Sequence, residues 1–252
     1  MGKGSEKAFF DNEYTQSPRA AVGQVYSIIR SREQAYERLI YAGVAGRRVL
    51  EYGGGTGSHS LEIARRGGLV TGIDISEQGI ASAAARAEQA GVANVEYLVM
   101  DAEATPFPDR YFDLVIGEGI LHHLNLRAAY REISRVLKPG GRAVFMEPLG
   151  HNPFLVLFRA LTPKLRTPDE HPLLRGDLML AREYFDRADF RFYHLSSFAA
   201  LLFLKTRLFW PAVDFLDKVD ATLFRLAPPA KYLAWYAIMI LDAKEDAPIL
   251  AS

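Results

Sequence analysis

The stretch Gly53-Gly54-Gly55-Thr56-Gly57 follows the apolar run Val49-Leu50-Glu51 and leads into a segment of helical character. Glycines let a backbone approach a ligand closely, and the first turn of a helix offers amide donors that no carbonyl uses. The arrangement suits a nucleotide at the carboxyl end of a strand, although a tight strand-to-helix turn without any ligand has the same composition. Asp74 stands 17 residues past Gly57, at the end of the next apolar run. There a carboxylate can accept hydrogen bonds from both hydroxyls of a ribose. A dinucleotide fingerprint would need G-x-G-x-x-G, but Ser58 occupies the place of its last glycine. The observed G-x-G-x-G argues against a nicotinamide cofactor.

A second set of groups can move protons. His122 and His123 follow the apolar run at Phe112, and Glu147 and His151 follow the run at Ala143. Histidine titrates nearest to neutrality and serves as a general base. The histidine pair can equally begin a helix, and Glu147 can simply anchor the segment behind it. Neither H-E-x-x-H nor a comparable ligand pattern occurs, so we expect no metal.

These residues need elements to position them. Helical spacing of Val22, Val25, Ile28, Tyr36 and Ile40 predicts a helix over 17–42. Strands are predicted at 49–51, 69–74, 95–100, 112–116 and 143–147, alternating with helices. Ser76 and Asn125 are placed to cap two of those helices, and Gly91 to end one. Such alternation implies right-handed crossovers and a mostly parallel sheet. Prolines at 153, 163, 168 and 172 make residues 148–176 an irregular insertion with room for one short helix. Closing strands are expected at 190–196 and 235–241. Between them, residues 198–226 read as helical and aromatic-rich. Trp210, Phe215, Leu216, Leu223 and Phe224 there suit plain core, a dimer face or the wall of a greasy site.

Composition narrows the classes. Thirty Lys and Arg balance thirty Asp and Glu, so no overall field attracts nucleic acid. The chain lacks cysteine, which removes disulfides, thiolate nucleophiles and cysteine-bound zinc. With 49% hydrophobic and 24% charged residues, the 252-residue chain is globular in character. The polar start shows no signal-peptide pattern, and Leu195 to Leu204, the longest strongly apolar run without charge, is about half a membrane span. We therefore expect a cytoplasmic protein without a transmembrane segment.

The motifs Val49-Leu-Glu-x-Gly-x-Gly-x-Gly57, Gly72-Ile-Asp74-Ile-Ser, Met100-Asp101-Ala, Phe112-Asp-Leu-Val, Leu121-His-His-Leu and Leu137-Lys-Pro-Gly-Gly141 occur in that order. Together they resemble the class I S-adenosylmethionine (SAM)-dependent methyltransferases, of the ubiquinone/menaquinone type. The resemblance implies a Rossmann-like α/β fold with a seven-stranded, mostly parallel sheet whose last strand is antiparallel. It also implies an N-terminal helical lid over residues 1–46, a SAM-binding domain over 47–252, and substrate-side or interface insertions at 148–176 and 197–228.

For the cofactor, the resemblance assigns Glu51, Gly53, Gly55 and Gly57 to the methionine and ribose side. Asp74 would hold the ribose diol and Ile75 the adenine face. Asp101 and Ala102 would meet the adenine edge, and Gly117 and Glu118 the methionine moiety. Asp101, in Asp-Ala-Glu, also fits a plain turn residue.

The segment Glu147-Pro-Leu-Gly-His-Asn-Pro153, with the later Thr-Pro and His171-Pro172 pairs, is similar to bacterial natural-product methyltransferases, among them teleocidin-type prenyl C-methyltransferases. Tyr14, Tyr26 and His171 would then line a lid or substrate wall. Methyl transfer to a small lipophilic acceptor at carbon or oxygen is the leading expectation. A catalytically silent SAM-binding scaffold is the main alternative, and an NAD(P) oxidoreductase a distant one. Nucleic-acid methylation is disfavoured, because the chain has no Asn/Asp-Pro-Pro-Tyr/Phe motif and no cysteine. Any homo-oligomer is expected through the N-terminal helix or residues 198–226.

Overall fold

The computed structural model describes residues 7, 11, 28, 30–161 and 171–245. Seven strands form one sheet: β1 (Arg48–Tyr52), β2 (Leu69–Asp74), β3 (Val95–Val99), β4 (Phe112–Glu118), β5 (Leu137–Pro148), β6 (Arg187–Tyr193) and β7 (Tyr236–Asp242). Their order is β3-β2-β1-β4-β5-β7-β6. β7 runs antiparallel to both β5 and β6, and the remaining pairs are parallel. The expected sheet is thus present, with the antiparallel strand inserted between β5 and β6.

The helices are α1 (Arg30–Ile40), α2 (Ser58–Arg65), α3 (Glu77–Gln89), α4 (Leu126–Val136), α5 (Pro153–Leu161), α6 (Arg175–Tyr184) and α7 (Phe209–Leu226). Ser76 Oγ accepts from Gly79 N at 3.0 Å and Asn125 Oδ1 from Ala128 N at 3.1 Å, so both predicted caps form.

Alternation along the strands fills a core on each face of the sheet. Leu50, Val115, Phe145 and Met239 pack with Tyr130 and Ile133 of α4 and Leu178 of α6 on one side. Val49, Leu114, Val144 and Ile240 pack with Tyr36 and Ile40 of α1 and Ile63 of α2 on the other. A smaller third cluster joins Phe209 and Val213 of α7 to Trp235, Ala200 and Leu155.

Several boundaries differ from the sequence reading. β6 lies three residues earlier than expected, because His194 adopts a left-handed φ of 65° and ends the strand. Strand pairing resumes at Leu137, opposite Phe112, before the Lys138–Gly141 turn. Residues 198–226 are not one helix: a 3-10 segment, Ser197–Phe203, precedes α7. The insertion at 148–176 holds α5 and the start of α6, which is more helix than its prolines suggested. Of the helix expected over 17–42, the described portion is α1.

Candidate functional site

The sheet reverses its direction of build between β1 and β4, and ligands of open α/β sheets gather outside the strand ends at such a point. The glycine loop lies there. Gly53, Gly55 and Gly57 have φ of 63°, 48° and 72°, a region that L side chains rarely enter. A Cβ on Gly53 would stand 2.9 Å from Ile120 of the β4–α4 loop, so the two loops are in direct contact.

Asp74 ties the loop to β2. Its carboxylate accepts from Gly55 N at 2.8 Å and from Ser76 N at 2.8 Å, one bond to each oxygen. The carboxylate retains acceptor capacity for a further donor. Burial pushes the Asp74 carboxyl above the usual aspartate range, against these backbone donors, which pull it down. Ile75 follows, partly exposed at the strand end.

Glu51 lies under the loop and is buried. It accepts from the Ser60 N–H at 3.1 Å and from the Ser60 hydroxyl, tying β1 to the first turn of α2. Burial raises its carboxyl, with the nearby His59 charge opposing. At the third strand end, Asp101 accepts from Glu103 N at 3.0 Å and so closes a turn, while Ala102 is buried.

Gly117 and Glu118 end β4. The Tyr36 hydroxyl donates to Gly117 O at 3.0 Å, and a Cβ on Gly117 would collide with Phe145 at 2.6 Å. Glu118 receives Arg32 Nη2 at 3.1 Å and pairs with His59 Nε2 at 3.3 Å. Burial pushes its carboxyl up, but the His59 bond and the two neighbouring cations outweigh that and hold it below the usual range. On His59 burial acts downward, yet the Glu118 and Glu51 charges lift the imidazole above its usual value.

Arg32 and His59 were missed by the sequence reading. Arg32 is 2% exposed and stacks on Tyr236, its guanidinium carbon 3.6 Å from the ring centre. Its Nε and Nη1 are buried without a hydrogen-bond partner among the described residues. A buried guanidinium with one bonded nitrogen is costly unless another acceptor completes it. The only signal available in sequence was an Arg one turn before Tyr36, which helical charge patterning does not distinguish from a surface residue.

Three of the four candidate proton-moving residues meet beyond β4 and β5. Glu147 is fully buried, and its Oε1 accepts from Ile120 N and Leu121 N, both at 2.9 Å. Its Oε2 lies 2.8 Å from His122 Nδ1. The carboxylate therefore makes Nδ1 the protonated nitrogen of the neutral ring and puts the lone pair on Nε2. His123 lies against His122, the rings tilted by 40° with their centres 4.1 Å apart.

His151 does not join them. It is exposed and accepts from Arg175 N at 3.2 Å, which secures the start of α6. His171 N donates to His122 O at 3.2 Å, and its side chain lines a groove of about 450 Å³ with Leu149, Leu155, Val156 and Leu174. Tyr14 and Tyr26 lie outside the described residues. Two other N-terminal residues do reach this end of the sheet: Asp11 accepts from Ser76 Oγ at 2.5 Å, and Lys7 Nζ lies 2.8 Å from Glu77. No His/Asp/Glu cluster fit for a metal occurs among the described residues.

The strand order defines a Rossmann-like α/β fold, with the glycine loop at its switch point. Within that fold, residues 50–145 match the methyltransferase domain family. The ubiquinone/menaquinone biosynthesis C-methyltransferase UbiE of Yersinia enterocolitica is 39% identical over 107 residues, 40% of this chain and 43% of that protein. The demethylmenaquinone methyltransferase of Tropheryma whipplei is 32% identical over 159 residues, 63% of this chain and 65% of that one. The chain thus spans less than two thirds of the length of these curated relatives. Among solved structures, phosphoethanolamine N-methyltransferase 2 of Haemonchus contortus in complex with S-adenosyl-L-methionine superposes with a TM-score of 0.66 at 20% identity, over 93% of this chain and 60% of that one. That likeness is one of fold.

Proposed function

We propose that this protein is a SAM-dependent methyltransferase acting on a small lipophilic acceptor. One observation carries the reading. A buried aspartate at the end of β2 is clamped onto a left-handed glycine loop at the end of β1, inside the segment that matches methyltransferase domains. The residues present fit the cofactor. Asp74 retains acceptor capacity for the ribose diol, and Asp101 with Ala102 borders the adenine edge. Glu118 beside the unsatisfied Arg32 offers one anion and one cation to the amino-acid end, Glu118 to the ammonium and Arg32 to the carboxylate.

When bound, SAM supplies a methyl group on a sulfonium, open to in-line displacement. The chain's own part is alignment, water exclusion and removal of a proton from the acceptor. His122 accepts that proton at Nε2, and Glu147 fixes the ring and stabilises the charge that results. Glu147 acts through His122 and is a positioning residue. The names of the two curated relatives favour carbon as the methylated atom, on a ring whose hydroxyl is activated by that base. Lys7 and Asp11, seated at the start of α3 next to Asp74, support the reading of the N-terminal segment as a lid over the cofactor.

Isothermal titration of the intact protein with SAM tests the proposal. We expect saturable binding that Asp74→Ala weakens at least tenfold, since hydrogen bonds to a charged group contribute about 1.5–3 kcal/mol each. Absence of binding by the intact protein would overturn it.

A further inference from the structure

Helix α7 buries one face and leaves another apolar face uncovered. Phe209, Val213 and Asp220 point inward. Leu208, which caps the helix, and Phe215, Val219 and Leu226 are 59%, 65%, 39% and 78% exposed. Their spacing of seven, four and seven residues places them on a single stripe along the helix. Ordinary surfaces scatter such residues singly; a continuous stripe calls for a partner.

The charges beside the stripe are selective. Lys205, Arg207, Lys218 and Arg225 are all exposed, against one exposed carboxylate on the helix, Asp214. The other two acids of α7 are spent internally. Asp217 accepts from Ser197 Oγ at 2.8 Å and sits 3.2 Å from His194 Nδ1, while Asp220 accepts from Leu195 N at 2.8 Å and Ser196 N at 3.0 Å. Turning the acids inward leaves the outer surface of α7 cationic as well as greasy.

We infer that α7 docks the protein on an anionic lipid surface, with Leu208, Phe215, Val219 and Leu226 entering the interface and the four cations facing the headgroups. An amphipathic helix with this division of apolar and basic residues lies in the interfacial plane. It does not span, since no helix among the described residues is long and apolar enough to cross a membrane. A second copy fits less well, since lysine is depleted from protein interfaces and two of the cations lie on the helix itself. The inference goes beyond the methyl-transfer reading and uses none of the cofactor residues.

Vesicle sedimentation tests it on the full chain. We expect binding to phosphatidylcholine vesicles containing a third phosphatidylglycerol, at least tenfold weaker binding to pure phosphatidylcholine, and loss of binding in 0.5 M salt. Phe215→Ser/Leu226→Ser should weaken binding at least tenfold, and Lys218→Glu/Arg225→Glu should do the same. Both pairs are exposed, so the melting temperature and SAM titration should match the parent. Those controls separate this inference from the cofactor reading. Failure to bind anionic vesicles, or binding indifferent to Phe215→Ser/Leu226→Ser, would overturn it. So would a dimer, seen by light scattering, that this double substitution dissolves.

Discussion

Around β1, β2 and β4 the groups proposed to face the cofactor are largely backbone amides and carboxylates, each fixed by a strand end. His122 and Arg32 are instead long side chains held by other side chains: His122 by Glu147, Arg32 by Glu118 and Tyr236. The first region is specified by glycines whose φ no other residue tolerates well, and the second by burial and pairing. The first kind of site is stiff and local. The second depends on residues far apart in sequence.

The largest effect that would sharpen this contrast lies in the His122–Glu147 pair. General-base catalysis contributes roughly 10²–10⁴-fold, so His122→Asn should lower kcat by about that factor while SAM affinity stays unchanged. Glu147→Gln keeps an oxygen for the Ile120 and Leu121 amides and should lower kcat less, with SAM affinity unchanged. Glu147→Ala orphans two buried N–H groups at about 1–3 kcal/mol each and should cut the melting temperature as well. Full activity in both His122→Asn and Glu147→Gln would remove the proton-transfer role and leave the pair as an anchor for the β4–α4 loop.

A smaller effect is expected at Arg32. Arg32→Met preserves the length of the stem and its packing on Tyr236 but removes the charge. We expect S-adenosylhomocysteine to bind about 10–100-fold more weakly, in line with loss of one charge-assisted bond of about 1.5–3 kcal/mol. Methylthioadenosine, which lacks the amino-acid end, should bind the variant and the parent alike. Equal weakening for both ligands would show that Arg32 braces the fold instead.

The same contrast explains what could be read in the sequence. The Ser76 and Asn125 caps act within three residues of themselves, so they were legible, and the strand alternation foretold the sheet. Arg32 reaches Glu118 across 86 positions, and nothing in its neighbours distinguishes it from the other arginines of α1. His151 looked equivalent to His122 in sequence, yet Glu147 turns to one and the α6 amide binds the other. The long apolar reading of 198–226 foresaw helix but not its interruption. Which of those aromatics are bare depends on how α7 rolls against Trp235, and Phe215 turned outward while Phe224 packs on the core.

The smallest effect is a pH dependence that separates Asp74 from Glu118. Asp74 has a raised pKa in the folded protein because it is buried. In the proposed cofactor role its ionised form accepts the ribose hydroxyls, and that form is lost on acidification at a pH above the ordinary aspartate value of about 3.9. Stability has the opposite sign. A carboxyl raised on folding favours its protonated state in the native protein, so its unfavourable contribution is relieved as pH falls through the raised pKa. Glu118 is held low by His59 and Arg32 and stays ionised over the same window. Titrating S-adenosylhomocysteine as the pH is lowered from about 7 should therefore show a loss of affinity, setting in above the ordinary aspartate range, that Glu118→Gln retains. Glu51→Gln should retain it too, which separates Asp74 from the other carboxyl raised by burial. A flat profile, or one abolished by either substitution, would move the acid-sensitive group away from the ribose.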